Sequence, residues 1–298
     1  MALKKNESCL IITDSKLIKI GTALYNNSLK ITNKSKLIKI PIPESHGSEP
    51  LRDVAEEMLN YDVILLPTTK SLSHTTARKS ASKKGARIAS MPGITEDMME
   101  RTLNVDFNKI KHINEKLIKR LSIKNKIKII TKKGTNIEFD LKGRKWISDY
   151  GICTKKGAFG NLPVGEIFIA PLEGKTEGVI LSDANINKGN TEDIRIKIKD
   201  GFIQNIKGGK IANQFERLLK NKLYKNVAEL GIGTNYKARI TGNVLEDEKA
   251  IGTCHIAFGN NSHFGGKIDV PFHRDFVVKN PTILADGNPV MQSGKFRA

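Results

Sequence analysis

The sequence predicts an α/β protein in which an N-terminal doubly wound parallel-sheet domain, residues 1–107, precedes a mixed α+β domain, residues 108–298. In the first third, short apolar runs alternate with segments of helical character, which is the pattern of parallel strands joined by crossover helices. Beyond about residue 120, apolar and polar residues alternate with a period of two between Gly and Asn turns. That second pattern is typical of mainly antiparallel strands.

The first domain contains four predicted strands and three predicted helical segments. The strands are CLIITD (9–14), KLIKIPI (36–42), DVILLPT (62–68) and ARIASMP (86–92), and the helices lie in PLRDVAEEML (50–59), HTTARKSASKKG (74–85) and TEDMMERTL (95–103). No GxGxxG or Walker pattern follows the first strand, so no motif predicts a nucleotide site in this domain.

The second domain begins with a basic connector of helical character, residues 108–120. Period-two stretches follow it, among them IKIIT, NIEFDL, DIRIKIK and FIQNI. One helix interrupts them, because the apolar residues of KIANQFERLLKNKL form a single stripe: Ile211, Phe215, Leu218 and Leu219. The pattern predicts a mixed sheet arrangement with at least one helix.

The formal net charge of +19 over 298 residues is the strongest compositional signal. Between Lys111 and Lys133 nine residues are basic and one is acidic, and clustered cations favour nucleic-acid binding. Lys124, Lys126 and Lys128 alternate with apolar neighbours, however, as on the solvated side of a strand. With one Trp and 6% aromatic residues, no base-stacking platform is evident. A solvated basic face is favoured, and nucleic acid is not an expected partner.

The sequence also indicates the cellular environment of the protein and the residue types that could bind a metal. No stretch approaches the roughly 20 uninterrupted apolar residues of a membrane helix, so we expect a cytosolic protein without a membrane partner. Cys9, Cys153 and Cys254 are far apart and form no CxxC pair. Any metal is therefore expected to be held by histidine and carboxylate.

Three of the six histidines, His255, His263 and His273, fall within residues 254–275, CHIAFGNNSHFGGKIDVPFHRD. Histidine is a common metal ligand and exchanges protons near neutral pH. In the predicted strand KIDVPFHRDFVV, His273 and Asp275 stand two residues apart and share a face. The pair is suited to hold one cation, although a His–Asp hydrogen bond without metal is the commoner use of such a pair.

Two glutamates stand in unusual settings. Glu166 lies within the apolar run NLPVGEIFIAP, and Glu229 lies in VAELGIGTN, followed by glycines that let backbone approach a ligand closely. A buried carboxylate is costly unless a cation or a hydrogen-bond donor faces it. Both glutamates are therefore candidate metal ligands.

These segments carry a family resemblance. In chain order GNLPVGEIFIAPLEG, AELGIGTN, LEDEKAIGTCHIAFG and DVPFHRDFVV resemble the signatures of the metallo-aminopeptidase family typified by thermophilic aminopeptidase T, and GARIASMPGITEDMM is similar to its archaeal leucyl aminopeptidase-like branch. The correspondence is dense from about Gly160 to Gly287. The resemblance implies a two-domain homodimeric enzyme that holds two divalent ions, Zn, Co or Mn, and removes N-terminal residues from peptides with a free N-terminus.

The resemblance also assigns roles to residues of this chain. The implied metal ligands are Glu166, Glu229, Glu248, His255, His273 and Asp275, with Glu229 bridging both ions. Glu248 is the weaker match because its spacing to the histidine differs slightly, and Glu246 and Asp247 are competitors. Where the family has a tyrosine, this chain has Ser262 followed by His263, which is predicted to replace it as a catalytic proton donor; the alternative is a histidine of a surface loop.

The expected reaction is peptide hydrolysis, in which two ions lower the pKa of a shared water and polarise the carbonyl. Two alternatives remain open. His255, His273 and Asp275 are also a two-histidine, one-carboxylate set for a single Fe(II), and a dihydroxypyridine ring-cleaving dioxygenase group resembles this aminopeptidase family. The other alternative is a non-catalytic, basic nucleic-acid-binding protein that keeps the fold.

Overall fold

A computed structural model describes residues 1–182 and 193–297 of the chain. The chain forms two compact units, the first of residues 1–107 and 151–164, the second of residues 108–150 and 165–298. The predicted boundary after residue 107 coincides with the first of these boundaries. Residues 151–164, predicted within the second domain, fold with the first unit because residues 159–161 add a strand to its sheet.

The helices and strands of the described residues are as follows. The strands are β1 (Cys9–Asp14), β2 (Ser35–Ile40), β3 (Val63–Leu66), β4 (Arg87–Ser90), β5 (Lys126–Ile130), β6 (Asn136–Asp140), β7 (Ile147–Asp149), β8 (Phe159–Asn161), β9 (Glu166–Ile169), β10 (Thr176–Ser182), β11 (Ile194–Lys199), β12 (Phe202–Lys207), β13 (Val227–Gly233), β14 (Thr253–Gly259), β15 (His273–Lys279), β16 (Thr282–Ala285), β17 (Asn288–Gln292) and β18 (Lys295–Phe296). The α-helices are α1 (Ile18–Leu29), α2 (Arg52–Glu57), α3 (Thr76–Lys84), α4 (Glu96–Thr102), α5 (Phe107–Leu121), α6 (Lys210–Leu218) and α7 (Val244–Asp247). Short 3₁₀ turns cover Met58–Asn60, Lys222–Lys225 and Ser262–Phe264.

The first unit contains a parallel sheet in the order β2-β1-β3-β4-β8. The four strands predicted from apolar runs are present, and Thr75 and Thr95 cap the helices α3 and α4 with their side chains. Helix α1 was not among the predicted helices, because its Gly and Asn residues are poor helix formers. It packs against β1 closely enough that a Cβ at Gly21 would overlap the Thr13 side chain.

The second unit contains two antiparallel sheets. Eight strands form the order β12-β11-β10-β6-β5-β16-β17-β18, and five form the order β15-β14-β13-β9-β7. Residues of both sheets and of helices α5 and α6 share one apolar core. The predicted fold class, a parallel α/β domain followed by a mixed α+β domain, is confirmed. Among the helices that the described ranges contain, none is both long and apolar enough for a membrane crossing.

Candidate metal centre

The two faces of the five-stranded sheet differ in chemistry because side chains alternate along each strand. One face is apolar and belongs to the core of the second unit: Ile167, Ile169, Leu230, Ile232, Cys254, Ile256, Phe258, Phe276 and Val278. The opposite face carries five predicted site residues: Glu166, Glu229, His255, His273 and Asp275. Burial of the apolar face therefore places these five side chains on one side of the sheet.

Small residues face this polar group across the strands. The paired positions are Glu166 with Gly233, Glu229 with Ala257, His255 with Gly231, His273 with Gly259 and Asp275 with Ala257. Side chains of paired residues lie on the same face, so each small partner leaves space for the larger polar group. Gly231 shows this most directly, since a Cβ there would overlap the His255 ring.

The Glu229 carboxylate lies between two imidazoles. Its Oε1 is 3.3 Å from Nε2 of His255, and its Oε2 is 3.4 Å from Nε2 of His273. Nε2 of His273 also lies 3.5 Å from Oδ1 of Asp275, and Nε2 of His255 lies 3.3 Å from Oε2 of Glu166. The structure thus brings together residues that span more than 100 positions of sequence.

Glu248 joins the cluster from the end of helix α7, together with its neighbour Lys249. Nζ of Lys249 lies 2.5 Å from Oε1 of Glu166 and 2.7 Å from Oε1 of Glu248. The lysine side chain is only 2% exposed. A buried ammonium group of this kind is stable only when carboxylates pair with it, as they do here.

Three overlapping groups of described residues have ligand atoms within 4.8 Å of one another. They are Glu166–Glu229–His255, Glu229–His273–Asp275 and Glu248–His255–Asp275. None of the three contains both His255 and His273, because Glu229 lies between their Nε2 atoms. The predicted two-histidine set is therefore connected through this carboxylate.

The donor set fits a divalent metal ion. Imidazole nitrogens and carboxylate oxygens are the ligands that Fe(II), Zn and Mn share. Two buried atoms of the cluster, Oε2 of Glu166 and Nδ1 of His255, make no hydrogen bond. Buried polar atoms are nearly always hydrogen-bonded, so Oε2 of Glu166, whose contact is the ion pair with Nε2 of His255 at 3.3 Å, is consistent with a site that binds a cation.

The carboxylates hold the two imidazoles in their charged form. Burial alone would lower the pKa of His255, but the hydrogen bond to Glu229 and the charge of Glu166 outweigh it and raise the pKa to about 9. Burial also acts to lower the pKa of His273, but the charges and hydrogen bonds of Asp275 and Glu229 outweigh it and raise the pKa well above its usual value. The cluster therefore demands positive charge, which protons or a metal ion can supply.

The carboxyl groups of the cluster differ in the direction of their pKa shifts. Burial raises the pKa of Glu248 to about 8, against the charge of Lys249 and together with the charge of Asp275. Burial also acts to raise the pKa of Asp275, but the charge and hydrogen bond of His273 outweigh it and lower the pKa. The two carboxyl groups are therefore shifted in opposite directions by the same cluster.

The backbone holds the His273 ring in one orientation. Its Nδ1 lies 2.9 Å from the carbonyl oxygen of Asn260, so Nδ1–H donates and Nε2 faces the carboxylates. The Asn260 side chain in turn donates to Asp269 and to the carbonyl of Val270. Such an outer hydrogen bond orients a histidine for metal binding through its other nitrogen.

Sequence reasoning missed two polar residues of this site. One is Lys249, and the other is Asn114 of helix α5, which is fully buried. The Asn114 amide donates to the backbone carbonyl of Glu166 and accepts a 2.6 Å hydrogen bond from the Thr234 hydroxyl. A signal was present, because Asn114 interrupts the buried stripe that includes Ile110 and Leu117.

The remaining predicted residues lie elsewhere. Glu246 and Asp247, the competitors of Glu248, accept hydrogen bonds from backbone N–H groups of the preceding loop, 239–242. His263 is exposed in its 3₁₀ turn, whereas the adjacent Phe264 packs edge-on against the His273 ring at 6.1 Å between centroids. A catalytic role of His263 stays a prediction.

A parallel α/β unit, followed by antiparallel sheets that present a buried histidine–carboxylate cluster, defines a class of α/β proteins with a candidate metal centre. Within that class, residues 9–298 match the model of the family described as NicX, 2,5-dihydroxypyridine 5,6-dioxygenase. The chain belongs to this family. No curated protein sequence matches the chain.

Two solved structures are similar in fold. The 2,5-dihydroxypyridine dioxygenase of Pseudomonas putida KT2440 superposes with a TM-score of 0.81 at 19% identity, covering 99% of this chain and 93% of that one. Wild-type AmpT from Thermus thermophilus superposes with a TM-score of 0.78 at 14% identity, covering 99% of this chain and 95% of that one. At these identities the likeness is one of fold.

The prediction that the protein is a hydrolase, a metallo-aminopeptidase, is wrong. The matching family is one of dioxygenases, and only the fold is shared with AmpT. The error has a chemical cause: glutamates, a histidine and an H-x-D strand supply the same donor atoms to a hydrolytic metal as to a redox metal. The motifs identify the scaffold and supply candidate ligands, but they do not distinguish the two reactions.

Proposed function

We propose that this protein is a ring-cleaving dioxygenase that acts on a dihydroxylated pyridine and uses a single Fe(II) ion. The observation that carries the proposal is the family match over residues 9–298, which includes every residue of the cluster. In such a reaction both atoms of O₂ enter the product, so no external reductant is consumed.

The ion would be held at the His273–Asp275 end of the cluster, by imidazole and carboxylate donors of the kind that suit Fe(II). When bound there, Fe(II) supplies the redox chemistry that lets O₂ react with an organic ring. The residues around it are built to orient these ligands. The Asn260 carbonyl orients the His273 ring, and Gly231 leaves the space that the His255 ring fills.

Protein groups also offer the proton transfers that a dihydroxylated ring requires. The hydrogen bonds from His255 and His273 outweigh the effect of burial and lower the pKa of Glu229. Glu229 is therefore ionised at neutral pH and can accept a proton from a ring hydroxyl at a carboxylate oxygen.

An aromatic wall beside the cluster suits a planar substrate. Phe168 lies on the same strand face as Glu166, and its ring meets that of Phe264 edge-on at 5.5 Å between centroids. Phe264 in turn contacts the His273 ring. Aromatic rings prefer such edge-to-face or offset neighbours, so this wall can position a pyridine ring next to the cluster.

Oxygen uptake tests the proposal. Protein purified without oxygen and loaded with Fe(II) should consume O₂ when 2,5-dihydroxypyridine is added, and ¹⁸O₂ should label the product with two heavy atoms. Asp275→Asn protein provides the matched control and should consume little. Iron-loaded, folded wild-type protein that shows no substrate-dependent oxygen uptake would overturn the proposal.

A further inference from the structure

Lys249 stands out among the charged groups of the cluster. It is the only lysine among the buried residues that the structure describes. Its ammonium nitrogen lies 2.5 Å from Oε1 of Glu166 and 2.7 Å from Oε1 of Glu248. These distances are those of charge-assisted hydrogen bonds, so the ammonium is held at one defined position.

The Lys249 ammonium lies at the side of the candidate metal-binding groups that Glu166 and Glu248 form. Of the three groups with close ligand atoms, one includes Glu166 and another includes Glu248, both of which the lysine already engages. The third group, Glu229–His273–Asp275, contains neither of these glutamates. A metal ion in the third group leaves the lysine pairs intact, whereas an ion that took Oε1 of Glu166 or Oε1 of Glu248 would have to displace the ammonium.

The charge balance of the cluster also favours a single metal ion beside Lys249. Four carboxylates lie in the cluster: Glu166, Glu229, Glu248 and Asp275. They demand more positive charge than one divalent ion supplies, and a buried, uncompensated carboxylate is costly. Lys249 provides a fixed positive charge where a second metal ion would otherwise be attracted.

We propose that Lys249 is a built-in second cation, whose ammonium occupies the Glu166–Glu248 end of the cluster and restricts the protein to one metal ion at the His273–Asp275 end. The proposal rests on the single-metal site of the proposed function. It assigns Lys249 the role of a positioning residue, since it acts through the two glutamates and sets the metal stoichiometry.

Removal of the ammonium should change the number of ions bound. Lys249→Met keeps most of the side-chain volume and frees both glutamates to bind metal. Titration with Mn(II) should give one equivalent for the wild type and two for Lys249→Met, measured by calorimetry and by metal analysis. A pair of Mn(II) ions bridged by protein ligands should also replace the six-line spectrum of isolated Mn(II) in electron paramagnetic resonance.

Two controls accompany this variant. Lys36→Met removes another lysine that is paired with a glutamate, at 2.7 Å from Glu57 in the first unit, and should still bind one equivalent. Lys249→Arg keeps the charge and should also bind one. A folded Lys249→Met protein that binds only one ion, or wild-type protein that binds two, would overturn the inference.

A second variant tests the role of Lys249 if Lys249→Met does not fold. Glu248→Gln removes a carboxylate from the lysine end and should leave the single Mn(II) equivalent in place, because the ion does not use that end. Loss of Mn(II) from folded Glu248→Gln contradicts the inference. Oxygen uptake is measured separately, so a protein that binds one ion but does not consume O₂ refutes the proposed reaction and not the role of Lys249.

Discussion

The imidazole of His255 occupies the space above Gly231, its partner across strands β13 and β14. Any Cβ at position 231 would overlap the ring. The glycine is therefore a packing requirement of the candidate metal centre, which explains a residue that is otherwise unfavourable inside a strand.

Gly231→Ala should displace the His255 ring and lower metal content. Overpacking of this kind typically costs about 1–3 kcal/mol of unfolding free energy. The matched control is the same change in a His255→Ala background, where the ring is gone and the added methyl group should cost little. Urea unfolding of the four proteins gives the coupling between the two positions. Equal costs in both backgrounds would contradict the packing argument.

His273→Ala and Asp275→Asn should each lose bound iron while the fold remains, because ligands on the polar face contribute little to the apolar core. Loss of a ligand typically lowers metal affinity by well over tenfold, given that loss of an outer partner already costs about 10–100-fold. Metal analysis and circular dichroism measure the two properties. His112→Ala, an exposed histidine of α5, is the control and should retain iron. Full iron content in either ligand variant would exclude this strand from the site.

Asn114→Ala should lower the unfolding free energy by about 2 kcal/mol, because it leaves buried polar groups without partners. The groups affected are the carbonyls of Glu166 and Asp149 and the hydroxyls of Thr234 and Ser148. Asn27→Ala on helix α1, where the amide is exposed, is the control and should be neutral or slightly stabilising. Chemical denaturation provides the measurement, and similar values for both variants would show that the Asn114 hydrogen bonds contribute nothing.

The ion pair of Glu7 and Arg87 predicts a pH-dependent stability of the first unit. Hydrogen bonds from Arg87 outweigh the effect of burial and lower the pKa of Glu7 from 4.5 to about 2. A lowered pKa means that the pair stabilises the fold above about pH 4.5 and that this contribution is lost as the pH falls towards 2. Glu7→Gln should therefore cost on the order of 2 kcal/mol near neutral pH, and the difference from wild type should shrink below pH 4.5.

Glu96→Gln provides the comparison for this pair. Glu96 contacts Lys19 at 2.8 Å, but both side chains are exposed, so the loss of this pair should change stability little. Thermal unfolding between pH 2 and 8 tests both variants. A difference between Glu7→Gln and wild type that does not change with pH would rule out the ionised pair as its cause.

Periodicity was sufficient to predict the architecture and part of the site. The apolar runs of the first unit predicted parallel strands, and the spacing of His273 and Asp275 predicted that they share a face. Glu166 and Glu229 were recognisable because carboxylates inside apolar strands need partners. Local patterns of this kind depend on neighbouring residues only, which a sequence displays directly.

Contacts between distant segments could be learned only from the tertiary structure. Lys249 meets Glu166 across 83 residues of sequence, and Asn114 reaches the Glu166 backbone across 52. Residues 151–164 belong to the first unit, where residues 159–161 pair with β4, and no local sequence pattern predicts this pairing.

The sequence by itself thus determined the fold class, the polar strand face and most of the donor atoms. The tertiary structure decided how those donors are grouped: Glu229 between two imidazoles, and a buried ammonium group between Glu166 and Glu248. The physical reason is that strand alternation is a local property of the backbone, whereas the charge balance of a buried cluster depends on side chains that only folding brings within a few ångströms of one another.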